Sequence, residues 1–509
     1  VDLIMKALAI KPDYAEAHNN LGIVFKELGK LDEAVASYHK ALAIKPDYAE
    51  AHSNLGNVFK ELGQLDEAVT SFHKALVIQP DFAEPHYNLG IALRELGRLD
   101  EAVASFHKAL AIKPDFTKAH SNLGNVFKEL RRLDEAVASF QKALIINPSF
   151  AEAHSNLRLV FQELGMLDEA VASFQKALAI KPDFAEAHGG LGYALLAAGQ
   201  FTPGWEELEW RWRWKFQTSD RQEFPYPLWQ GEPIRGRTLL VWGEQGVGDE
   251  IMFTSMVPDL VEQGANVILE LDTRLLDLYR RSFPDLHCVA REDPPAPGIL
   301  QADIDFQTPC GGLGRWLRPD EASFPKRTSF LKADMARVEV LRRRYREGAH
   351  SHVVGVSWRS LNHDIGDDKS MDVTSLGPLA KIPGIRLVDL QYGDTSADCA
   401  VFEKALGVKL LRDPEIDPLQ DLDGFAAHVS AMDLVVSISN TTAHMAGALG
   451  VPAWVMVPVT PLWRWMMNRE DSPWYSSLRL LRQAASGDWN TVIEEVRSEL
   501  AKLPMPPAP

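Results

Sequence analysis

The first half of the chain repeats itself with a period of 34 residues, and this regularity limits the folds that are open to it. Six prolines mark the period: Pro12, Pro46, Pro80, Pro114, Pro148 and Pro182. Between them the segments AHSNLGNVFKELG, LDEAVASF and KALAIKPD recur with few changes. Repeats of this length must stack on their neighbours to bury their apolar faces. The period therefore predicts an α-helical solenoid.

The pattern inside each repeat resembles the tetratricopeptide family. Gly22 takes the small position of the first helix, Ala34 that of the second, and Pro46 ends the second helix. Repeats are therefore expected at 15–48, 49–82, 83–116, 117–150 and 151–184, with a degenerate sixth from Ala185. Residues 1–14 are expected to end a truncated repeat, with further repeats before Val1 in the full protein. We assign residues 1–218 to the solenoid and its degenerate capping repeat.

A histidine recurs once in every repeat, where the family often has tryptophan. These residues are His18, His52, His86, His120, His154 and His188. Positions one repeat apart belong to different stacked units and have no second ligand nearby, which argues against a metal site. We predict that these histidines pack between helices.

An asparagine also recurs on the first helix of each repeat, at Asn20, Asn54, Asn88, Asn122 and Asn156. Stacking would align these side chains along the concave face. They either bond to neighbouring helices or form a ladder that holds a peptide backbone, since an amide both donates and accepts. The array resembles the repeats of the protein O-GlcNAc transferases, whose asparagine ladder binds acceptor peptides. That resemblance implies an acceptor protein as partner, although Gly190 interrupts the ladder in the last repeat.

Charge and composition exclude several classes of partner. The net charge of −17 argues against nucleic acid and anionic membranes. The three cysteines are far apart, with no CxxC pair, so neither a disulfide framework nor a zinc site is indicated. No apolar run is long enough to insert into a membrane, and no signal peptide starts the chain, so we expect a cytoplasmic protein.

The second half reads as two α/β lobes. A tryptophan-rich segment, 205–214, predicts a capping helix, and residues 219–236 predict a connector rich in proline and glycine. An N-terminal lobe is expected at 237–347 and a C-terminal lobe at 348–509. Strands are predicted at 238–242, 266–272, 287–290, 303–306, 353–358, 385–391, 409–411, 434–438 and 452–458. The fold class is thus a helical solenoid followed by a two-lobed α/β domain.

One strand-to-helix turn is typical of a phosphate site. The apolar strand 434–438 is followed by Ser439, Asn440, Thr441 and Thr442, then by a small-residue helix that Gly450 ends. In open α/β sheets, phosphorylated ligands bind where a strand delivers its carboxyl end to a helix N-terminus. Helix capping is the simpler alternative, but capping needs one such residue rather than four.

Residues 238–503 resemble the bacterial glycosyltransferases related to the lipopolysaccharide heptosyltransferases, which have the two-lobed B-type fold. The matching segments are GEQGVGDEIMF, GVSWRS, LQYGD, MDLVVSISNTTAHMAGALGVPAWVM, LWRWM and SPWYSSLRLLRQ. The resemblance implies transfer of a sugar from a nucleotide-sugar, with the acceptor on the first lobe and the donor on the second. Such domains fused to tetratricopeptide repeats resemble bacterial enzymes that glycosylate proteins, including flagellin. An aspartate usually stands where this chain has Asn440.

Sugar transfer needs a base for the acceptor hydroxyl and positive potential for the leaving diphosphate. The resemblance makes Asp249 the leading base, with Glu244 and Glu250 as competitors; the alternative role of Asp249 is to complement the helix dipole at the start of a helix. For the donor we predict Ser439, Asn440, Thr441, Thr442 and His444, with Arg359, His363 and Lys369 as cations and Gln391 at the nucleobase. Trp463, Arg464 and Trp465 are candidates to stack on sugar or to close the cleft. A convincing DxD motif is absent, so we expect a metal-independent enzyme with no cofactor besides its substrate.

Three functions remain open on the sequence. The first is a glycosyltransferase that modifies Ser or Thr hydroxyls of a protein, flagellin being one candidate, held by the repeat groove. The second is a transferase for a glycan or lipid acceptor, in which the repeats only recruit partners. The third is a non-catalytic repeat scaffold whose transferase-like half binds a ligand.

Overall fold

A computed structural model describes residues 1–164, 166–213, 224–347, 352–360 and 369–503. The chain forms two compact units. The repeat unit comprises Val1–Leu164 and Asp168–Phe184, and the α/β unit comprises Gly165–Leu167 and Ala185–Pro509. Within the described residues, none of the helices combines the length and apolarity needed to span a bilayer.

The repeat unit consists of helix pairs that follow the 34-residue period, which confirms the predicted solenoid. Its helices are α1 Asp2–Ile10, α2 Ala15–Glu27, α3 Leu31–Ile44, α4 Ala49–Glu61, α5 Leu65–Ile78, α6 Ala83–Glu95, α7 Leu99–Ile112, α8 Thr117–Glu129, α9 Leu133–Ile146, α10 Ala151–Glu163 and α11 Leu167–Ile180. The alanine, leucine and phenylalanine side chains that recur between them form the buried core.

Close packing inside each pair explains the small position of the first helix. A Cβ placed on Gly56 would lie 2.7 Å from the ring of Phe72, and one on Gly124 would lie 2.8 Å from the ring of Phe140. Both rings are fully buried. An aromatic side chain from the second helix therefore packs directly on the backbone of the first, and glycine permits that approach.

The repeat histidines pack between helices, as predicted. The Nε2 of His52 lies 3.0 Å from the carbonyl oxygen of Pro46, and the Nε2 of His120 lies 2.9 Å from that of Pro114. Burial lowers the pKa of both imidazoles below the ordinary value. The same contact with a proline carbonyl, which fixes the turn at the end of the preceding repeat, is made by His18, His52, His86, His120 and His154.

The α/β unit contains two separate sheets with all strands parallel. Its helices are α12 Ala185–Ala197, α13 Phe201–Leu208, α14 Val247–Thr254, α15 Val257–Glu262, α16 Leu276–Ser282, α17 Pro297–Leu300, α18 Gly314–Leu317, α19 Met335–Tyr345, α20 Gly377–Ala380, α21 Ser396–Leu406, α22 Leu422–Ser430, α23 Thr441–Leu449 and α24 Trp489–Leu500. The strands are β1 Thr238–Trp242, β2 Asn266–Leu271, β3 His287–Ala290, β4 Phe306–Pro309, β5 His352–Ser357, β6 Ile385–Asp389, β7 Leu434–Ile438, β8 Ala453–Val457 and β9 Leu478–Arg482.

The strand order places β1 and β7 inside their sheets. The first sheet has the order β3-β2-β1-β4 and the second the order β6-β5-β7-β8-β9. All five residues of β7 are buried, as expected for a parallel strand covered on both faces. The carboxyl ends of parallel strands share one edge of a sheet, where ligands of α/β proteins bind.

Two strand predictions were wrong and one strand was missed. The fourth strand lies at 306–309 rather than 303–306, because Asp305 instead caps the start of β1 by accepting from the Thr238 N–H. The predicted strand 409–411 makes only a single bridge, between Leu411 and Val388. Strand β9 was missed, because its LRLLR sequence carries arginines at half-buried positions and lacks the apolar run of a central strand.

The tryptophan-rich segment packs into the core of the α/β unit. The buried Trp205 indole donates a 2.8 Å hydrogen bond to the Arg318 carbonyl. Arg211 is also buried, and its guanidinium forms an ion pair with Glu244 at 3.0 Å. Trp214 lies outside the described residues.

Candidate functional site

The two helices that carry the predicted active residues meet at their N-termini. Helix α14 follows β1 through the glycine loop, and α23 follows β7. A Cβ placed on Gly248 would lie 3.1 Å from the His444 Cδ2 and 3.4 Å from the Thr441 Oγ1. The glycine therefore permits close approach of the N-terminal turns of α14 and α23, and residues that follow the two sheets share one site.

Asp249 forms an ion pair with Arg464, which brings the two lobes together a second time. The side chains are 22% and 12% exposed, so the pair is partly shielded from solvent. Arg464 lies on a single 3-10 turn, Trp463–Trp465, that follows β8. Met466, which ends this turn, has a φ of 51°, and Gln245 in the glycine loop has a φ of 63°. Such values are uncommon outside glycine and cluster at functional sites.

A buried lysine and a buried histidine complete the polar cluster. Burial, together with the positive charge of Arg464, lowers the pKa of Lys369 to about 8, whereas Asp249 opposes the shift. The same two causes, burial and nearby cations, hold the pKa of His444 well below its ordinary value, so its imidazole is neutral. Its Nδ1 lies 3.0 Å from the Tyr475 hydroxyl, and its ring stacks on Trp465. The cluster thus contains two cations and one carboxylate.

Most of the side chains in the turn after β7 are hydrogen-bonded to other groups of the protein. Ser439 accepts a 2.6 Å hydrogen bond from the Trp465 indole, and Thr442 donates one of 3.2 Å to the Leu390 carbonyl. Both are buried, whereas Thr441 is half-buried. The hydroxyl groups of Ser439 and Thr442 therefore hold the turn in place. Thr441 is the threonine of this turn that solvent partly reaches.

Asn440 caps α23 and also ties it to β5. Its side-chain oxygen accepts from the Thr442 N–H at 3.0 Å, while its amide nitrogen donates to the Ser357 hydroxyl at 2.7 Å. The same nitrogen lies 3.3 Å from the Arg359 carbonyl oxygen. An aspartate could supply the cap but not these two donated bonds. The two donated bonds therefore explain why asparagine rather than aspartate fits this position.

Gln391 and Arg359 brace the loop that follows β5. The Gln391 side-chain oxygen accepts from the backbone N–H groups of Trp358 and Arg359 at 3.0 and 2.9 Å. The Arg359 guanidinium pairs with Asp398 at 2.9 Å. Both residues therefore shape the rim of the site. His363 lies outside the described residues.

The two alternative carboxylates are engaged elsewhere. Glu244 is 1% exposed and pairs with Arg211, and its side chain also accepts from the Gly311 N–H at 2.8 Å. Glu250 is fully buried, and its side chain accepts from the Asp272 N–H at 2.7 Å. Burial raises the pKa of Glu250 to about 7. Of the three carboxylates, Asp249 is the one that solvent reaches.

In the repeat unit, polar side chains join neighbouring first helices at a separation of 35 residues. We call these contacts rungs. Asn54 donates to Asn19 at 3.1 Å and Asn122 donates to the Tyr87 hydroxyl at 3.0 Å. Ion pairs Lys26–Glu61 and Arg94–Glu129, at 2.9 and 2.6 Å, follow the same rule. The amides of Asn54 and Asn122 thus bond to the neighbouring helix, as one of the two sequence interpretations expected.

The remaining asparagines of the series differ in exposure. Asn20 is exposed, whereas Asn88 and Asn156 are half-buried. An exposed or half-buried amide keeps surface on which another chain could bond. The series therefore combines contacts between repeats with accessible polar surface.

Sequence reasoning missed the main electrostatic partner of Asp249. Arg464 follows it by 215 residues, and its predicted role was stacking or closure. The matching segments LWRWM and GEQGVGDEIMF contain both residues, so the resemblance was the one signal that pointed to them. The buried Glu270, beside Glu250 and Arg291, was also missed.

The described residues contain no group of three or more His, Cys, Asp or Glu side chains placed to hold a metal ion. The positive charge observed here comes from Lys369 and Arg464 instead.

Comparison with known proteins finds tetratricopeptide repeats along the first part of the chain. A model described as TPR repeat matches residues 24–63, 56–97, 90–131 and 159–199. Models described as Tetratricopeptide repeat match residues 117–150 and 3–36. The repeats predicted from the 34-residue period are thus confirmed.

Among curated proteins, the chain is similar to Protein FlbA of Caulobacter vibrioides, with 34% identity over 319 residues. The match covers 60% of this chain and 53% of FlbA, so the chain spans about half the length of that relative.

Two solved structures described as TPR proteins are similar to part of the chain. One is YrrB, described as a TPR protein with an unusual peptide-binding site, at 26% identity and a TM-score of 0.32; the match covers 36% of this chain and 95% of YrrB. Another is TTC0263 of Thermus thermophilus, at 26% identity and a TM-score of 0.29, with 36% of this chain and 100% of that chain covered.

Proposed function

We propose that the chain is a metal-independent glycosyltransferase that moves a sugar from a nucleotide-sugar to a hydroxyl group of a protein. One observation carries this proposal: a partly exposed carboxylate, Asp249, lies beside two cations, Lys369 and Arg464, where two parallel-sheet lobes meet. A carboxylate next to an anion-binding cluster is the combination that glycosyl transfer requires.

In the proposed reaction, Asp249 accepts the proton of the acceptor hydroxyl. The hydroxyl oxygen forms a bond to the anomeric carbon of the sugar, and the bond from that carbon to the diphosphate oxygen breaks. The electron pair leaves with the diphosphate. Lys369 and the N-terminus of α23 then meet its negative charge, because backbone N–H groups and the helix dipole favour anions there. The neutral His444 can offer a hydrogen bond without adding charge.

The turn after β7 supports the same role by its rigidity. Ser439, Asn440 and Thr442 are buried and bonded to neighbouring elements. A fixed turn presents its backbone N–H groups in a constant direction, which favours preorganised binding of an anion. In this proposal the buried side chains position the turn. The backbone N–H groups and the half-buried Thr441 contact the donor.

The repeat unit is proposed to hold the acceptor protein. Tetratricopeptide arrays commonly bind peptides or proteins in their groove, and the exposed Asn20 and half-buried Asn88 offer amides to a peptide backbone. Flagellin is the first acceptor to test, because of the resemblance between this domain arrangement and flagellin glycosyltransferases.

The rungs favour a second candidate for the repeats. The amides of Asn54 and Asn122 bond to neighbouring repeats, so they are already engaged within the array. The array could then recruit partners without binding the backbone of an acceptor peptide. The transferase would then modify a glycan or lipid acceptor instead.

Intact-mass measurement tests the proposal. A candidate acceptor, flagellin first, is co-expressed with the chain and without it, in cells that supply nucleotide-sugars. Thermal-shift screening with UDP-, GDP-, ADP- and CMP-sugars identifies the donor, because a ligand that binds the native state raises its stability. We expect a mass increase equal to one or more sugar residues. A donor that binds without any change in acceptor mass would point to the second candidate, and no binding by any donor would contradict a transferase.

A further inference from the structure

We propose that Arg464 is a two-position residue that pairs with Asp249 in the ligand-free protein and transfers to the donor diphosphate on binding, which frees the carboxylate. This inference rests on the proposed function. Arg464 is then a positioning residue that makes the availability of the base depend on the presence of the donor.

The backbone around Arg464 is anchored, so the change is confined to its side chain. Trp465 is fully buried and donates to Ser439 at 2.6 Å. Trp463 is 8% exposed and packs edge-on against Trp205 with 5.5 Å between the ring centroids. Two buried indoles therefore hold the turn on either side, while the arginine between them keeps rotatable bonds.

The guanidinium of Arg464 retains an unused donor in its present position. Its Nη2 donates to Asp249, but its Nε is buried and has no hydrogen-bond partner among the described residues. A buried donor without an acceptor costs free energy. A diphosphate offers several acceptor oxygens and suits the fork geometry of a guanidinium better than one carboxylate oxygen does.

The charges in the cluster also favour the exchange. Lys369 and Arg464 carry two positive charges, and Asp249 carries one negative charge that pairs with Arg464 and acts on Lys369 electrostatically. Both cations face His444, which is neutral and balances neither of them. A dianionic group placed there is attracted by both cations, so it competes with Asp249 for Arg464. The contact of Asp249 with Arg464 is therefore inhibitory until the anion arrives.

Calorimetric binding of UDP, GDP and ADP, each alone, tests this competition. The proteins compared are wild type, Asp249→Asn, Arg464→Gln, Arg464→Lys and the Asp249→Asn/Arg464→Gln double variant. We expect Asp249→Asn to tighten binding of the preferred nucleotide by about two- to fivefold, the range of a partly exposed ion pair. Arg464→Gln should weaken binding at least about tenfold, and Arg464→Lys should restore part of it. Arg497→Gln, a remote surface pair with Glu494, is the charge-matched control.

The double variant separates competition from simple charge removal. If Arg464 is shared, Asp249→Asn has no effect once Arg464 is glutamine. If Asp249→Asn tightens binding equally in both backgrounds, the exchange is wrong while the transferase proposal stands. If no nucleoside diphosphate binds the wild type, this inference is wrong, whereas the proposed function is wrong only if none of the nucleotide-sugars in the donor screen binds either.

Discussion

The side-chain amide of Asn440 lies 3.3 Å from the carbonyl oxygen of Arg359, so it joins the end of β7 to the loop after β5. Asn440→Asp would place a carboxylate against that carbonyl and against the Ser357 hydroxyl, which now accepts from the amide. We expect a loss of about 1–3 kcal/mol in the free energy of unfolding, the cost of an unsatisfied buried polar group. Denaturant unfolding measures it.

Asn490→Asp is the matched control, since Asn490 is exposed in the first turn of α24. It should change stability by less than about 0.5 kcal/mol. Equal effects of the two substitutions would mean that the amide of Asn440 has no special role.

The contact between Gly124 and the Phe140 ring predicts the effect of one added methyl group. Gly124→Ala would bring a Cβ within 2.8 Å of the ring, and overpacking of this kind costs about 1–3 kcal/mol. Amide hydrogen exchange in α8 and α9 should accelerate. Gly298→Ala meets nothing within 4 Å and should leave exchange unchanged. Unchanged exchange in Gly124→Ala would show that the ring can shift freely.

Lys369 should make nucleotide binding depend on pH. With a pKa of about 8, its ammonium is charged below that pH and is lost above it. Affinity should therefore fall by about half between pH 7 and 8, as half of the ammonium is lost, and by up to about tenfold per pH unit above. Lys369→Gln should bind weakly with little pH dependence over this range, whereas Lys381→Gln, at an exposed position, should match wild type. Retention of the fall in Lys369→Gln would assign it to another group.

Asp249→Asn should lower turnover at least tenfold, because a positioned general base contributes about 10²–10⁴ in rate. Binding of the nucleotide should survive, which separates loss of the base from loss of the fold. The matched control is Asp285→Asn, at an exposed position in the same lobe. Near-normal turnover of Asp249→Asn would remove Asp249 from this role.

The buried Glu270 should make the α/β unit less stable at alkaline pH. Burial raises its pKa from 4.5 to about 8, with Arg291 opposing the shift and Glu250 adding to it. A carboxyl whose folded pKa is raised contributes stability below pH 4.5 that is lost as pH rises through 8. Glu270→Gln should therefore melt at a higher temperature than wild type at pH 9, with a smaller difference at pH 5. Glu403→Gln, at an exposed position, is the control. A difference in melting temperature between Glu270→Gln and wild type that is the same at pH 5 and pH 9 would contradict this prediction.

Local sequence patterns predicted the elements of this protein well, because period and capping depend on neighbouring residues. The prolines every 34 residues predicted the helix pairs, and the apolar run 434–438 predicted β7 with its bounds. Local patterns did not predict β9, which pairs with β8, because its arginines interrupt the apolar pattern of a strand.

Contacts between distant segments were beyond such patterns. Nothing local in the sequence indicates that Arg464 reaches Asp249, that Arg211 neutralises Glu244, or that Gly248 touches His444. These pairings depend on how two sheets and their loops pack. The sequence could therefore predict which polar and charged residues stand at strand ends. Their interaction partners could be identified only from the three-dimensional structure.

The rungs of the repeat unit have a consequence for how such an array can change in length. The ion-pair rungs join a basic residue to a glutamate 35 positions later, and they recur in different repeats, at Lys26–Glu61 and Arg94–Glu129. Duplication or removal of one whole repeat that carries both kinds of residue would recreate this ion pair at the new junction. The repeat unit can therefore change in length by one repeat at a time while it keeps the same kind of contact between its first helices.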